Sequence, residues 1–186
     1  MGFERWWPSA AKDWQRRAVA GLLGLALYCH APLGYPQSKP EYQLKTAFLY
    51  NFALFTEWPA ATGRSLNLCI YGADPFGEEL DALQGKPVGE RVLAVRRIAA
   101  GESLAGCQIV FISASEISSL SIVLERLNGS TVLTVADSPG AARRGVALNM
   151  AVAQNKVTFE ANLLAARGAR VNLSSKLLRL ATQVIQ

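Results

Sequence analysis

Along the chain, apolar residues first recur with the period of a helix. Between residues 41 and 58, Leu44, Ala47, Phe48, Asn51/Phe52 and Phe55 recur at three- and four-residue steps, and Pro40 and Pro59 bracket the segment. Leu49, Tyr50, Leu54 and Trp58 project away from that stripe, which reads either as burial on most sides or as a second apolar face for a partner. Residues 65–71 alternate as a strand and run into the turn 72–77, where Asp74 is placed to cap, and Pro75 to open, a helix reaching about Leu83. A second strand is predicted over 91–98. The third, 108–113, is continuously apolar and so expected to be buried on both faces.

Ser113 and Glu116 have the spacing of a capping box, predicting a helix over 115–127 that ends at Asn128-Gly129. Residues 131–136 form another short β-branched run, and 146–152 and 156–162 read as a hairpin turning at Gln154-Asn155. Leu177, Leu178, Ala181, Val184 and Ile185 predict an amphipathic C-terminal helix over 174–186, capped by Ser174 or Ser175. Strands alternating with helices imply an α/β protein. The expected architecture is a single three-layer α/β/α domain over residues 35–186, with a mostly parallel central sheet and an antiparallel C-terminal strand pair.

The N-terminus follows different rules. Arg16-Arg17 precede twelve uncharged residues, 18–29, and the helix-breaking run HAPLGYP, the pattern of a secretory signal over residues 1–34. Twelve residues fall short of the roughly 20 that a membrane-spanning helix needs. Tyr28 before Cys29 argues against a lipoprotein cysteine, so cleavage is expected after Ala31 or Gly34, leaving a periplasmic protein.

Cleavage removes His30, the one histidine in the 186 residues. The remainder can form no Ser-His-Asp or Cys-His pair and no histidine-ligated metal site, and nothing in it points to a cofactor. Its 15 basic and 12 acidic groups give a net charge of +3, which is no nucleic-acid signature. An enzyme is therefore the least favoured class.

The remaining cysteines, Cys69 and Cys107, fall in or beside strands that a doubly wound sheet can place side by side. In an oxidising compartment this favours a disulfide over two buried free thiols. The segment 72–77 lacks the glycine spacing of a dinucleotide loop, and residues 137–140 show no basic catalytic partner nearby, so both read as structural turns. Arg143, Arg144, Lys176 and Arg179, with Arg167 and Arg170, bias the C-terminal half toward basic charge. They form either a solvated surface or a face for an acidic partner.

Taken together, KTAFLYNF (45–52) with EWP (57–59), LCIYG (68–72) with DPFG (74–77), GCQIVFIS (106–113), LTVADSPG (133–140), FEAN (159–162) and SSKLLRL (174–180) resemble the YfiR-like family of bacterial periplasmic proteins. The resemblance spans about residues 41–183, and its first and last blocks are the specific ones. It implies a non-enzymatic repressor. Such a protein binds the periplasmic sensory domain of an inner-membrane diguanylate cyclase, holds down cyclic di-GMP synthesis, and is released by an OmpA-like outer-membrane lipoprotein. No cysteine follows Cys107, so the second disulfide of the best-known member has no counterpart. The partner surface, and that of an expected homodimer, is assigned to helix one, with Tyr50, Leu54 and Trp58, and to the C-terminal basic residues Arg143, Arg144, Lys176 and Arg179. The competing class is a periplasmic small-molecule-binding module using the strand ends near Gly72 and Asp137.

Overall fold

The computed structural model describes residues 38–154 and 156–186; the expected secretory signal and its cleavage point lie outside the described residues. Helix α1, Ser38–Leu54, takes Pro40 into its first turn, where no backbone donor is lost. It stops four residues earlier than its apolar period suggests, because β1, Thr56–Glu57, leaves to pair with β9, Asn172–Leu173. Thr56 Oγ1 donates to the Phe52 carbonyl at 2.7 Å and Trp58 Nε1 to the Ala53 carbonyl at 3.0 Å, satisfying acceptors that the helix end leaves open.

The phase of α1 also differs from expectation. Its buried face carries Lys45, Leu49, Phe52 and Ala53, whereas Leu44 is 49% exposed and Ala47 and Asn51 face outward. Leu49, expected to project away, is fully buried. Both rows of residues have helical spacing, and a lysine on the inner row disguised it.

The main sheet has eight strands in the order β10-β8-β7-β6-β5-β2-β4-β3. Its central strands are β2 (Ser65–Tyr71), β4 (Arg91–Ile98), β5 (Ile109–Ile112), β6 (Leu133–Ala136) and β7 (Leu148–Ala153), and neighbours among them run parallel. The antiparallel pairs are β3 (Pro87–Val88) on β4 and β7 on β8 (Lys156–Asn162). The latter is the expected C-terminal hairpin. All four residues of β5 are buried, as its continuous apolar run requires, and so are all four of β6, where the Thr134 hydroxyl accepts from the Ala147 amide.

Helices cover both faces, giving three layers. Leu66, Leu68, Ile70, Phe111, Val135 and Phe159 pack on α1, joined there by α4, Leu163–Gly168. Cys69, Tyr71, Val110 and Ile112 pack on α3, Leu120–Leu127, on the other side. A 3-10 segment, Ala114–Ser119, precedes α3, and the Ser113 side chain makes no capping bond. Ser115 Oγ instead accepts from the Ala73 amide at 3.0 Å, fastening the turn after β2 to the turn after β5.

The predicted C-terminal helix reduces to α5, Ser175–Leu178, capped by Ser174 Oγ, which accepts from the Leu177 amide. The chain then forms β10, Gln183–Ile185, parallel to β8. Thr182 anchors it by donating both its amide, at 2.8 Å, and its hydroxyl, at 2.9 Å, to the Phe159 carbonyl. Apolar spacing in so short a segment suits a helix or a strand, and the open side of β8 selects the strand.

Cys69 and Cys107 form a disulfide with Cα atoms 5.9 Å apart, joining residues 38 positions apart. A loop of that length implies about 3–4 kcal/mol of stabilisation from restricting the unfolded chain. Reduction, or a Cys69→Ser/Cys107→Ser variant, is expected to lower the urea midpoint by a matching amount. Coincident unfolding curves for oxidised and reduced protein would contradict this.

Candidate functional site

Lys45, on the inner face of α1, and Asp137, the first residue after β6, meet above the carboxyl ends of the strands. Lys45 Nζ lies 2.7 Å from Asp137 Oδ2 and 2.5 Å from Glu41 Oε1, and the Lys45 and Asp137 side chains are only 4% and 3% exposed. Tyr42 donates its hydroxyl to the same Asp137 oxygen at 3.1 Å, and the Lys45 ammonium stands 4.5 Å from the Tyr42 ring centroid. A charge this deeply buried persists only when paired and hydrogen-bonded, a condition each group meets for the other. The turn at 137–140, which showed no basic partner in sequence, therefore has one 92 residues away. The signal available was a lysine on the apolar row that contains Leu49 and Phe52.

This cluster is wedged against the sheet by aromatic rings. Tyr42 meets Phe76 edge-on at 5.2 Å, and Phe76 meets Phe111 of β5 at 4.8 Å. Beside Tyr42 an open cleft of ≈ 370 Å³ is bounded by the loop 74–77 and by Glu78 and Glu79 at the start of α2, Glu78–Asp81. The cleft adjoins β2, where the chain turns first to β4 on one side and then to β5 on the other, the topological switch point at which open α/β sheets bind ligands.

The switch point itself is closed. Gly72 has φ +97°, and a Cβ there would lie 2.6 Å from both Glu116 Cγ and Ser115 Oγ, so the two turns touch at this glycine. Asp74 does not cap α2, whose N-cap is Gly77. Its Oδ1 instead accepts from the Phe76 and Gly77 amides at 2.7 and 3.3 Å. Arg97 of β4 holds this loop through Asp74 Oδ2 at 2.7 Å, Asp81 Oδ1 at 2.8 Å and the Gly77 carbonyl at 2.9 Å. These hydrogen bonds raise the pKa of the already basic guanidinium.

Protonation follows from the geometry. Burial pushes the Lys45 ammonium down, but hydrogen bonds to Asp137 and Glu41 and the Asp137 charge more than reverse this, so its pKa is raised above 10.5. Burial, with the Asp137 charge, raises the Tyr42 phenol above 10.0. At neutral pH Lys45 is thus a cation and Tyr42 a neutral donor, both engaged. The cluster is chemically suited to anchoring rather than to nucleophilic or base chemistry.

The residues assigned to a partner surface divide between elements. On α1, Leu54 is 39% exposed, while Tyr50 is half-buried and donates its hydroxyl to the Pro87 carbonyl at 2.7 Å, covering β3. Half-buried Trp58 caps α1 as described. Arg143, Arg144, Lys176 and Arg179 are all exposed. Arg143 reaches Gln183 Oε1 of β10 at 3.4 Å and Arg144 the Ile117 carbonyl at 3.0 Å. Charge is divided likewise: residues 38–137 hold 8 basic and 11 acidic groups, residues 138–186 hold 7 basic groups and the single acid Glu160.

Fold and site together define a mixed α/β domain whose charged cluster is locked into the interior. The chain is a member of the YfiR/HmsC-like family (DUF4154), whose model matches residues 42–182. That family is regulatory and periplasmic. Among curated proteins none matches the sequence. Eight solved chains match in fold, among them the following two. A conserved domain protein from Vibrio cholerae O1 biovar El Tor str. N16961 is similar at 9% identity and TM-score 0.52, and an ABC domain in complex with L-Trp from Streptococcus pneumonia at 10% and 0.53. Each comparison covers 77% of this chain, which spans 60% of those chains. Among the described residues no helix is long and apolar enough to cross a membrane, and no cluster of His, Cys, Asp and Glu could hold a metal ion.

Removing Lys45 leaves Asp137 buried without its cation. Lys45→Met is expected to cost about 3–5 kcal/mol in urea unfolding, while Lys45→Met combined with Asp137→Leu regains most of it. Equal losses in the two variants would refute a buried pair. Because both pKa values are raised, the native state binds more protons than the unfolded chain just above pH 10. The contribution of Lys45 and Tyr42 is therefore complete below pH 10.0 and lost as pH rises through their native pKa values. Lys45→Met should blunt the alkaline fall measured by thermal unfolding.

Proposed function

We propose that this protein is a periplasmic negative regulator. It binds the periplasmic sensory domain of an inner-membrane diguanylate cyclase, represses cyclic di-GMP synthesis, and is released by an OmpA-like outer-membrane lipoprotein. The observation that carries this reading is the family match over residues 42–182, nearly the whole described chain. The engaged, non-nucleophilic state of Lys45 and Tyr42 supports binding over catalysis. In this reading the exposed side of α1, bearing Leu44 and Leu54 beside Tyr50 and Trp58, contacts the cyclase or a second copy in a homodimer. The basic residues Arg143, Arg144, Lys176 and Arg179 meet an acidic partner.

A second reading, a sensor module for a small molecule, is favoured by the open cleft beside Tyr42 at the carboxyl end of β2. Cellular cyclic di-GMP separates the two. Deletion should raise it several-fold, and the exported chain, but not a cytoplasmic copy, should restore it. An unchanged level would remove the cyclase reading and leave the sensor.

The α1 surface has its own test. Leu54→Asp places a charge on an exposed site, so the fold should survive while co-purification with the membrane cyclase drops at least about tenfold, some 1.4 kcal/mol. Undiminished capture would remove α1 from the interface.

A further inference from the structure

The two edges of the main sheet are finished differently. At one end β3 is two residues long, begins with Pro87, and has its proline carbonyl taken by the Tyr50 hydroxyl. Proline, shortness and a covering side chain are the usual ways in which an edge is kept from pairing. At the other end β10 is also short, at three residues, but it has no proline. Residues 181–186 read ATQVIQ, without charge or proline, and among the described residues no strand lies on the outer side of β10.

The surroundings of this edge are basic and partly apolar. Arg143 is bonded to Gln183, Lys176 and Arg179 lie exposed in the segment leading into β10, and Leu180 between them and the strand is 70% exposed. Glu160, the one acid of residues 138–186, stands opposite Gln183 in register and is already engaged by Asn149 Nδ2 at 3.2 Å. A two-fold pairing of β10 with a second β10 would bring these arginines together, which like-charge repulsion disfavours.

We infer that the β10 edge docks an extended, acidic segment of a partner protein, which adds to the sheet as a further strand. Main-chain hydrogen bonds to β10 supply affinity. Side chains of the guest meet the exposed Leu180 and the basic Arg143 and Arg179, selecting a sequence rich in Asp and Glu. The inference rests on the regulator reading for its biological setting and gives the basic residues of that reading a specific role.

The probe is an alternating Glu-Val peptide, titrated into the purified chain at low and high salt, with an alternating Lys-Val peptide and an N-methylated Glu-Val peptide as controls. The Glu-Val peptide should bind at least about tenfold tighter than either control, lose affinity with salt, and protect the β10 amides from hydrogen exchange. Arg143→Glu with Arg179→Glu should reverse the charge preference while leaving the melting temperature unchanged. Equal binding of the three peptides, or protection of the same amides by self-association alone, would overturn the inference. In deletion cells the double variant should fail to restore cyclic di-GMP where the wild-type chain succeeds. If both restore it, the edge is not the docking site and the regulator reading stands; if neither does, that reading falls and the peptide titration alone decides the edge.

Discussion

The salt bridge between Lys45 and Asp137 governs the arrangement of everything around it. An apolar contact tolerates rotation of a helix by a fraction of a turn, whereas an ammonium held at 2.7 Å from a buried carboxylate does not. Once that pair forms, Leu49 and Phe52 must enter the core, and Leu44 and Leu54 must leave it. Tyr42 is drawn onto the same carboxylate, and through Phe76 its ring ties the helix to the centre of the sheet. The pair and the core residues Leu49, Phe52 and Ala53 lie on one face of α1, and Tyr42 beside them forms one wall of the cleft.

The opposite ends of the sheet then acquire different characters. The β3 end is short, proline-bearing and covered by Tyr50, and it lies with the acidic part of the chain. The β10 end is uncharged along the strand and surrounded by the basic residues of the C-terminal half. Such a division gives the two edges different surroundings: one is short, proline-bearing and covered, and the other lies among exposed basic side chains. Membership of a regulatory, periplasmic family is consistent with surfaces of this kind.

Much of the fold was legible in the sequence, and the reasons are local. The continuous apolar run of β5 admits no outer face, so its central place in a parallel sheet followed directly. The β7–β8 hairpin was marked by its turn, and the disulfide by two cysteines in strands that can be neighbours. The capping box at Ser113 was misleading: its side chain makes no capping bond, and the segment after it is a 3-10 turn in which Ser115 accepts from the neighbouring turn's Ala73 amide. In the candidate site, Asp137 was noticed but appeared alone, since its partner lies 92 residues earlier on a helix whose phase was read from its apolar residues.

The sequence by itself determined the longer strands β2 and β4 to β8, that strands alternate with helices, and that the chain after residue 34 has no histidine with which to build common catalytic or metal sites. These follow from composition and from periods spanning a few residues. Only the tertiary structure decided the rotation of α1, the pairing of Lys45 with Asp137, and the conversion of the last residues from helix to edge strand. In each case two local solutions were nearly equal. The choice was made by a distant group: a carboxylate that required a cation, or a β8 backbone that required a neighbour.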